Sequence, residues 1–362
     1  MRKPSLSPTG RVLLALAALL TGDAAAQPPQ TFSGQMDIQE REIVVELPEN
    51  LRGRRLRLRP DEFQVLVDGQ PREVTRAEPV SREGPAPWTV LVYVDRVLAG
   101  PGTAFYSTLA LAGKARELSG LGTVEVAVAG SGATLAPTRE ARRIAETLAG
   151  LANQARIDRD RAGDTPSRPP SDAQVDQQLD EILAFVASRH PPGPHVLFLV
   201  AEGSEMAAPA PVAAFRRAAD LLASQGWIVV PIALRPDSPG APVAPRSEID
   251  IFREGAASSG HSNGGPPRLP PGHGPRKSTL AFPRVVDLFT DPRIGTLHTL
   301  ASVTAGTVIG YDVQLPALLE ELPRRWTVWI SEPAPAGEGG LHALTVKLPG
   351  RKATARAPAW LP

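Results

Sequence analysis

The 362-residue chain has no cysteine, so disulfides, a thiol nucleophile and cysteine-ligated metals are all excluded. Aromatic residues make up only 5%, which leaves the interior to aliphatic side chains. Charge of one sign is not in excess: 39 basic residues against 38 acidic ones give +1. That balance argues against a protein devoted to nucleic acid or to an anionic membrane surface. No apolar run approaches the roughly 20 residues that a spanning helix requires. Stability must come from an ordinary core, and the length suffices for one large domain with a small one beside it.

What is present begins with a secretory pattern. Arg2, Lys3 and Arg11 form a basic start, Val12 to Leu20 a short apolar core, and Ala24, Ala25 and Ala26 a site for a signal peptidase. Residues 1–26 therefore read as a signal peptide cleaved after Ala26, with an uncleaved anchor as the other reading. With no cysteine after the apolar run, a lipoprotein anchor is excluded. The mature chain is expected to be secreted or periplasmic. Losing Arg2, Lys3, Arg11 and Asp23 with the signal takes the formal charge to −1.

Residues 27–82 read as a linker and a small β unit. Glu42 to Leu47 is a β-branched run, and Phe63 to Val67 alternates before Asp68-Gly69, a hairpin turn pair after which Val74 resumes the pairing strand. Between them, Leu51 to Arg59 alternates arginine with leucine. The pattern is that of a solvated strand face, or of a strip for a polyanion. Residues 86–323 alternate buried strands with helices. Strands fall at Trp88 to Val94, Thr123 to Ala129, His195 to Ala201 and Gly226 to Ala233, with a short one at Gly306 to Gly310. Helices are expected at about 105–118, 138–151, 172–188, 212–224, 294–303 and 315–322. The alternation predicts an α/β fold with a doubly wound, mostly parallel sheet. Polar or Pro/Gly-rich stretches at 157–171 and 235–284 read as insertions. Residues 324–350 read as a C-terminal β-hairpin, whose partner is the N-terminal β unit or an edge of the main sheet, and 351–362 as a tail.

Three stretches carry a family resemblance: Asp61 to Gly69, the strand ending at Asp95 paired with the one before Ala201-Glu202-Gly203, and Leu297 to Gly306. In this order they resemble the VWFA-related (von Willebrand factor A-type) proteins of the acidobacterial type. The resemblance implies a Rossmann-like sheet with a divalent cation, usually Mg²⁺, at the C-terminal ends of its strands. There an Asp-x-Ser-x-Ser turn, a threonine and a second aspartate hold the ion, leaving a position for a partner's carboxylate. Here Asp95 stands at the first position, but Val97 and Ala99 replace the serines. Thr165 is the nearest counterpart of the threonine, and Glu202 stands for the second aspartate. The metal site is thus degenerate, with Asp95 and Glu202 as its remaining ligand candidates.

Catalytic patterns do not assemble. Gly260-His261-Ser262-Asn263-Gly264 matches a nucleophile elbow, but neither strand nor helix flanks it, and Gly265-Pro266-Pro267 follows. His261 and His273 lack acidic residues at ligand spacing. His190 and His195 mark the loop before a strand, and Gly130-Ser131-Gly132, without a following lysine, reads as a turn. The reading is a non-enzymatic module that binds a protein partner around Asp95, Arg96, Ser131 and Glu202, without cofactor. Alternatives are a Mg²⁺-dependent adhesion protein using Asp95 and Glu202, a hydrolase using Ser262, and an envelope component using the Arg52 to Arg59 strip.

Overall fold

A computed structural model describes residues 38–51, 57–80, 88–162, 170–189, 191, 193–202, 209–234, 292–333 and 341–361. The expected signal peptide, Arg52 to Arg55, Thr165, His190, Gly203, the 235–284 insertion and the Ser262 stretch lie outside them. Apart from Ile38, the described residues belong to one compact unit, Gln39–Pro362.

Four strands come first: β1 (Ile38–Val45), β2 (Gln64–Val67), β3 (Gln70–Arg72) and β4 (Val74–Pro79). Next come β5 (Trp88–Val94), α1 (Pro101–Gly113), α2 (Ala115–Leu121), β6 (Gly122–Val128) and β7 (Gly132–Thr138). The helices α3 (Ala141–Ala162) and α4 (Asp172–Ala187) precede β8 (His195–Val200), α5 (Pro209–Ser224) and β9 (Trp227–Ile232). After them lie α6 (Pro292–Val303), α7 (Gln314–Glu321), β10 (Trp326–Pro333), β11 (His342–Leu348), β12 (Ala353–Ala355) and β13 (Trp360–Leu361).

The doubly wound, mostly parallel sheet of Rossmann type is overturned as the fold class. The described residues are mixed α/β with three sheets, ordered β1-β10-β4, β12-β11-β2-β3 with β13 on β11, and β7-β6-β5-β8-β9. Among pairs with a defined register, antiparallel ones outnumber parallel ones six to three. The parallel pairs join β5, β6, β8 and β9, whereas β7 closes that sheet's edge antiparallel to β6. The physical reason is the period of the apolar pattern. Continuous apolar runs build β5, β6, β8 and β9, while β2 and β11 alternate buried with more exposed residues, as strands buried on one face do. The expected C-terminal hairpin is overturned as well. β10 pairs with β4 (Ala77 opposite Val328) and β11 with β2 (Val65 opposite Val346), so the two lie in different sheets.

Three apolar clusters hold these layers. Val90, Val92 and Val94 of β5 point to one face of the mixed sheet, against Phe105, Leu111, Leu118, Ile144 and Leu148. Leu91 and Tyr93 point to the other, against Leu179, Ile182, Phe215, Leu222 and Leu297. In the antiparallel sheets Ile43, Val45, Val65, Val328, Ile330 and Val346 form a third. Each such side chain contributes roughly 1.5–3 kcal/mol on burial. Asp68 and Gly69 turn β2 into β3 with φ of 52° and 76°, the left-handed pair that a two-residue hairpin needs. The pairing strand is thus Gln70–Arg72, and Val74 starts a strand of another sheet. Gly306 lets the chain run against β9, where a Cβ would stand 1.7 Å from the Val229 carbonyl. Among the described residues no helix is long and apolar enough to cross a membrane.

Candidate functional site

Parallel register brings the strand ends to one edge. Val94 lies between Val128 of β6 and Val200 of β8, so Asp95, Ala129 and Ala201 follow side by side. The Asp95 N–H donates to the Val200 carbonyl (3.2 Å) and the Ala129 N–H to the Val94 carbonyl (3.0 Å). Beyond Asp95 the chain turns tightly, with the Ala99 N–H on the Asp95 carbonyl at 2.9 Å, before α1 starts at Pro101.

Asp95 makes that turn. Its side chain is fully buried, and Oδ1 accepts hydrogen bonds from the Val97 and Leu98 N–H groups, both at 2.8 Å. A carboxylate bonding the backbone two and three residues on is the usual device for starting a turn. Oδ2 is buried and has no hydrogen-bond partner among the described residues. Burial, aided by the nearby Glu181 charge, raises the pKa of Asp95 above its ordinary 3.8, against the pull of the two N–H donors.

Glu202 braces the same turn from the next strand. Its N–H donates to the Leu98 carbonyl (3.0 Å), and its Oε1 accepts from the Thr103 hydroxyl at 2.5 Å. Gly100 leaves room for this carboxylate, since a Cβ there would stand 3.2 Å from Oε1. On the other flank, Glu181 of α4 accepts from the Gly130 N–H and, at 3.5 Å, from the Tyr93 hydroxyl. Burial, with Glu181 beside it, pushes the Tyr93 phenol well above its ordinary range.

The structure therefore gathers Asp95, Arg96 and Glu202 on one turn and its support, with Ser131 in the exposed β6–β7 turn of the same edge. Asp95 does not itself reach solvent; Arg96 and Val97 do, Val97 at 40% exposure. Thr103, Glu181 and Tyr93 escaped the sequence reading. The signal for Thr103 was a hydroxyl in the first turn of the helix that follows the Asp95 strand. It lies eight residues from Asp95, nearer than Thr165.

A hard divalent cation fits this donor set poorly. It takes about six oxygens, but the side chains at positions 97 and 99 offer none, and the Thr103 hydroxyl, which donates its proton to Glu202, has only its lone pairs left to offer. Asp95 Oδ1 already serves two N–H groups, and Oδ2 is buried. Among the described residues no three His, Asp or Glu side chains converge on a common point. His195 lies at the opposite end of β8, its ring nitrogens 2.8 and 2.9 Å from the Gly193 and Gln225 carbonyls. Burial lowers its pKa, and its ring meets Trp227 edge-on at 4.6 Å, the surroundings of a packing residue.

Comparison with protein-family models gives no match, and comparison with curated proteins gives none either.

Proposed function

We propose that the chain is an exported, non-enzymatic module that binds a protein partner through the strand-end edge formed by Arg96, Val97 and Ser131. The observation that carries this reading is the braced turn after β5. Asp95 from beneath and Glu202 from the side fix a loop whose outward residues are a cation and an exposed apolar side chain. A loop held by its own buried carboxylate presents its surface with little entropy left to lose on binding, which is what a recognition surface requires. Ligands also favour the C-terminal ends of parallel strands. The ordered likeness to the VWFA-related proteins supports a binding role, though fold analogy names no partner.

The test is site-specific photo-crosslinking from position 97, with position 341 as an exposed control elsewhere. A partner caught from position 97 alone, lost in Arg96→Glu and retained in EDTA, is the expected result. Equal crosslinking from both positions would remove the edge as the site. Loss in EDTA would return the role to a cation. Fractionation of cells expressing the full chain checks export: the mature protein should appear in the periplasm or the medium, shortened by its first 26 residues.

A further inference from the structure

A second feature lies away from that edge, where the antiparallel sheets diverge. Just past β1, Glu46 and Arg356 form an antiparallel bridge and exchange both backbone hydrogen bonds, at 2.7 and 2.8 Å. In an antiparallel ladder the next such pair lies two residues on, Val44 opposite Pro358. Proline has no N–H to donate, so the ladder cannot continue in full there. The segment after Pro358 leaves β1 for β11 instead: the Ala359 carbonyl accepts from the Leu344 N–H (2.9 Å), and β13 pairs with His342 and Ala343.

The gap left between the parting strands is a cavity of about 340 Å³. Four consecutive residues of β1, Arg41 to Val44, form one wall. Successive side chains of a strand point to opposite faces, so an unbroken run lines a cavity only where the cavity meets the strand's edge. Pro358, Trp360 and Leu361 form the other wall, and Ala223 to Gly226, at the end of α5, contribute to the lining. Among the described strands β1 pairs only with β10, so this edge has no ladder partner. Because Glu46 turns both its backbone groups toward Arg356, Val44, Glu42 and Glu40 turn theirs the same way, into the gap.

We propose that this edge of β1 accepts a short extended segment of a partner protein, apolar with one basic residue, which adds a strand in the gap. Backbone pairing supplies the affinity in such strand addition and side-chain pockets the selectivity. The basic residue follows from the charge in the walls. Arg41 is committed to Glu332 at 2.9 Å, whereas Glu42, exposed and lining the cavity, has the Arg76 charge nearby but no ion pair within 4 Å among the described residues; desolvation raises its pKa above the ordinary 4.5 against the pull of Arg76. The carbonyl end of α5 adds a partial negative charge. Ile43, Val44, Trp360 and Leu361 supply the apolar lining. A second copy of this chain fits badly: two-fold pairing of β1 with itself, centred on Glu40, Arg41 or Glu42, sets like charges opposite each other.

The test tracks backbone amide exchange in the full mature chain, with acetyl-Val-Lys-Val-Val-amide as the probe. In the free protein the Glu42 and Val44 amides should exchange fast while Arg41 and Ile43, facing β10, are protected. The peptide should slow Glu42 and Val44, and a backbone-N-methylated peptide should not. Replacing the peptide lysine by glutamate should weaken binding roughly two- to five-fold, as an exposed ion pair allows, and Glu42→Gln, folded by circular dichroism, should erase that difference. Four results would each overturn the proposal. Slow Glu42 and Val44 exchange before peptide is added would mean that another part of this chain fills the gap. Concentration-dependent dimerisation that protects these amides would mean a second copy does. No protection at millimolar peptide, or equal protection by the N-methylated form, would remove strand addition altogether.

Discussion

The two oxygens of Asp95 have unlike surroundings, and the difference can be measured. Oδ1 holds two N–H groups, while Oδ2 faces the interior alone. Asp95→Ala strips both donors of their acceptor and should cost on the order of 2–3 kcal/mol in urea unfolding. Asp95→Asn keeps one carbonyl oxygen for them and removes a buried charge, so at pH 7 it should be at least as stable as the wild type. The pH dependence stems from the raised pKa. The folded protein holds this proton more tightly than the unfolded chain, so the stability that Asp95 contributes is complete below about pH 3.8 and is lost as pH rises through the raised value. The wild type should therefore gain on Asp95→Asn as the medium is acidified from neutrality; a constant difference would show that Asp95 titrates as in the unfolded chain. From the sequence, a carboxylate at each strand end was legible, because a charged residue closing an apolar run has little choice but to sit at the rim. That Asp95 turns inward was not legible, since inward and outward rotamers share one sequence. Thr103 was hidden for the same reason: a threonine in a helical first turn looks like any other until Glu202 is seen beside it.

At the scale of elements the apolar period did most of the work. Strands β5, β6, β8 and β9 and the helices between them arise from continuous runs and 3.6-residue stripes. The strand β7 does not: Gly130-Ser131-Gly132 announces a turn, with φ near 70° at both glycines, but Gly132 to Thr138 alternates too weakly to mark a strand. Pairing was legible only in part: the N-terminal β unit was one of two partners expected for the C-terminal strands, but period two does not say which strand meets which. Two glycines differ in a way that stability measurements should separate. Gly306→Ala would press a Cβ onto the Val229 carbonyl and should cost roughly 3 kcal/mol or more. Gly69→Ala meets no atom within 4 Å and carries only the strain of its positive φ, about 1 kcal/mol.

At the scale of the molecule, segments far apart in sequence complete one another. Arg325, just before β10, is 3% exposed and donates to Glu46 after β1 and to the Ala305 carbonyl after α6, both at 2.9 Å. Arg325→Met should cost about 3 kcal/mol by thermal or urea unfolding, because the buried Glu46 carboxylate loses its 2.9 Å partner while Arg356 stands at 3.8 Å. A chain ending at Leu322 loses every described strand that pairs with β1, β2 and β4, except β3. It should keep helix signal in circular dichroism, bind a hydrophobic dye, and lack a cooperative transition for its N-terminal part. The sequence offered residues 27–82, a small β unit, as one of two partners for the C-terminal strands, and it is that partner: Ile43, Val65 and Val67 are covered by Val328, Ile330 and Val346.

That dependence also orders events in time. Apart from the local β2–β3 hairpin, strands β1 to β4 find their partners only when residues 326–361 have been made, so these sheets are dominated by distant contacts and form slowly. For the export proposed above, this delay is useful. The opening segment, with little beyond its own hairpin to fold against, stays threadable until the last residues arrive, and the closing of β10 to β13 would come on the far side of the membrane.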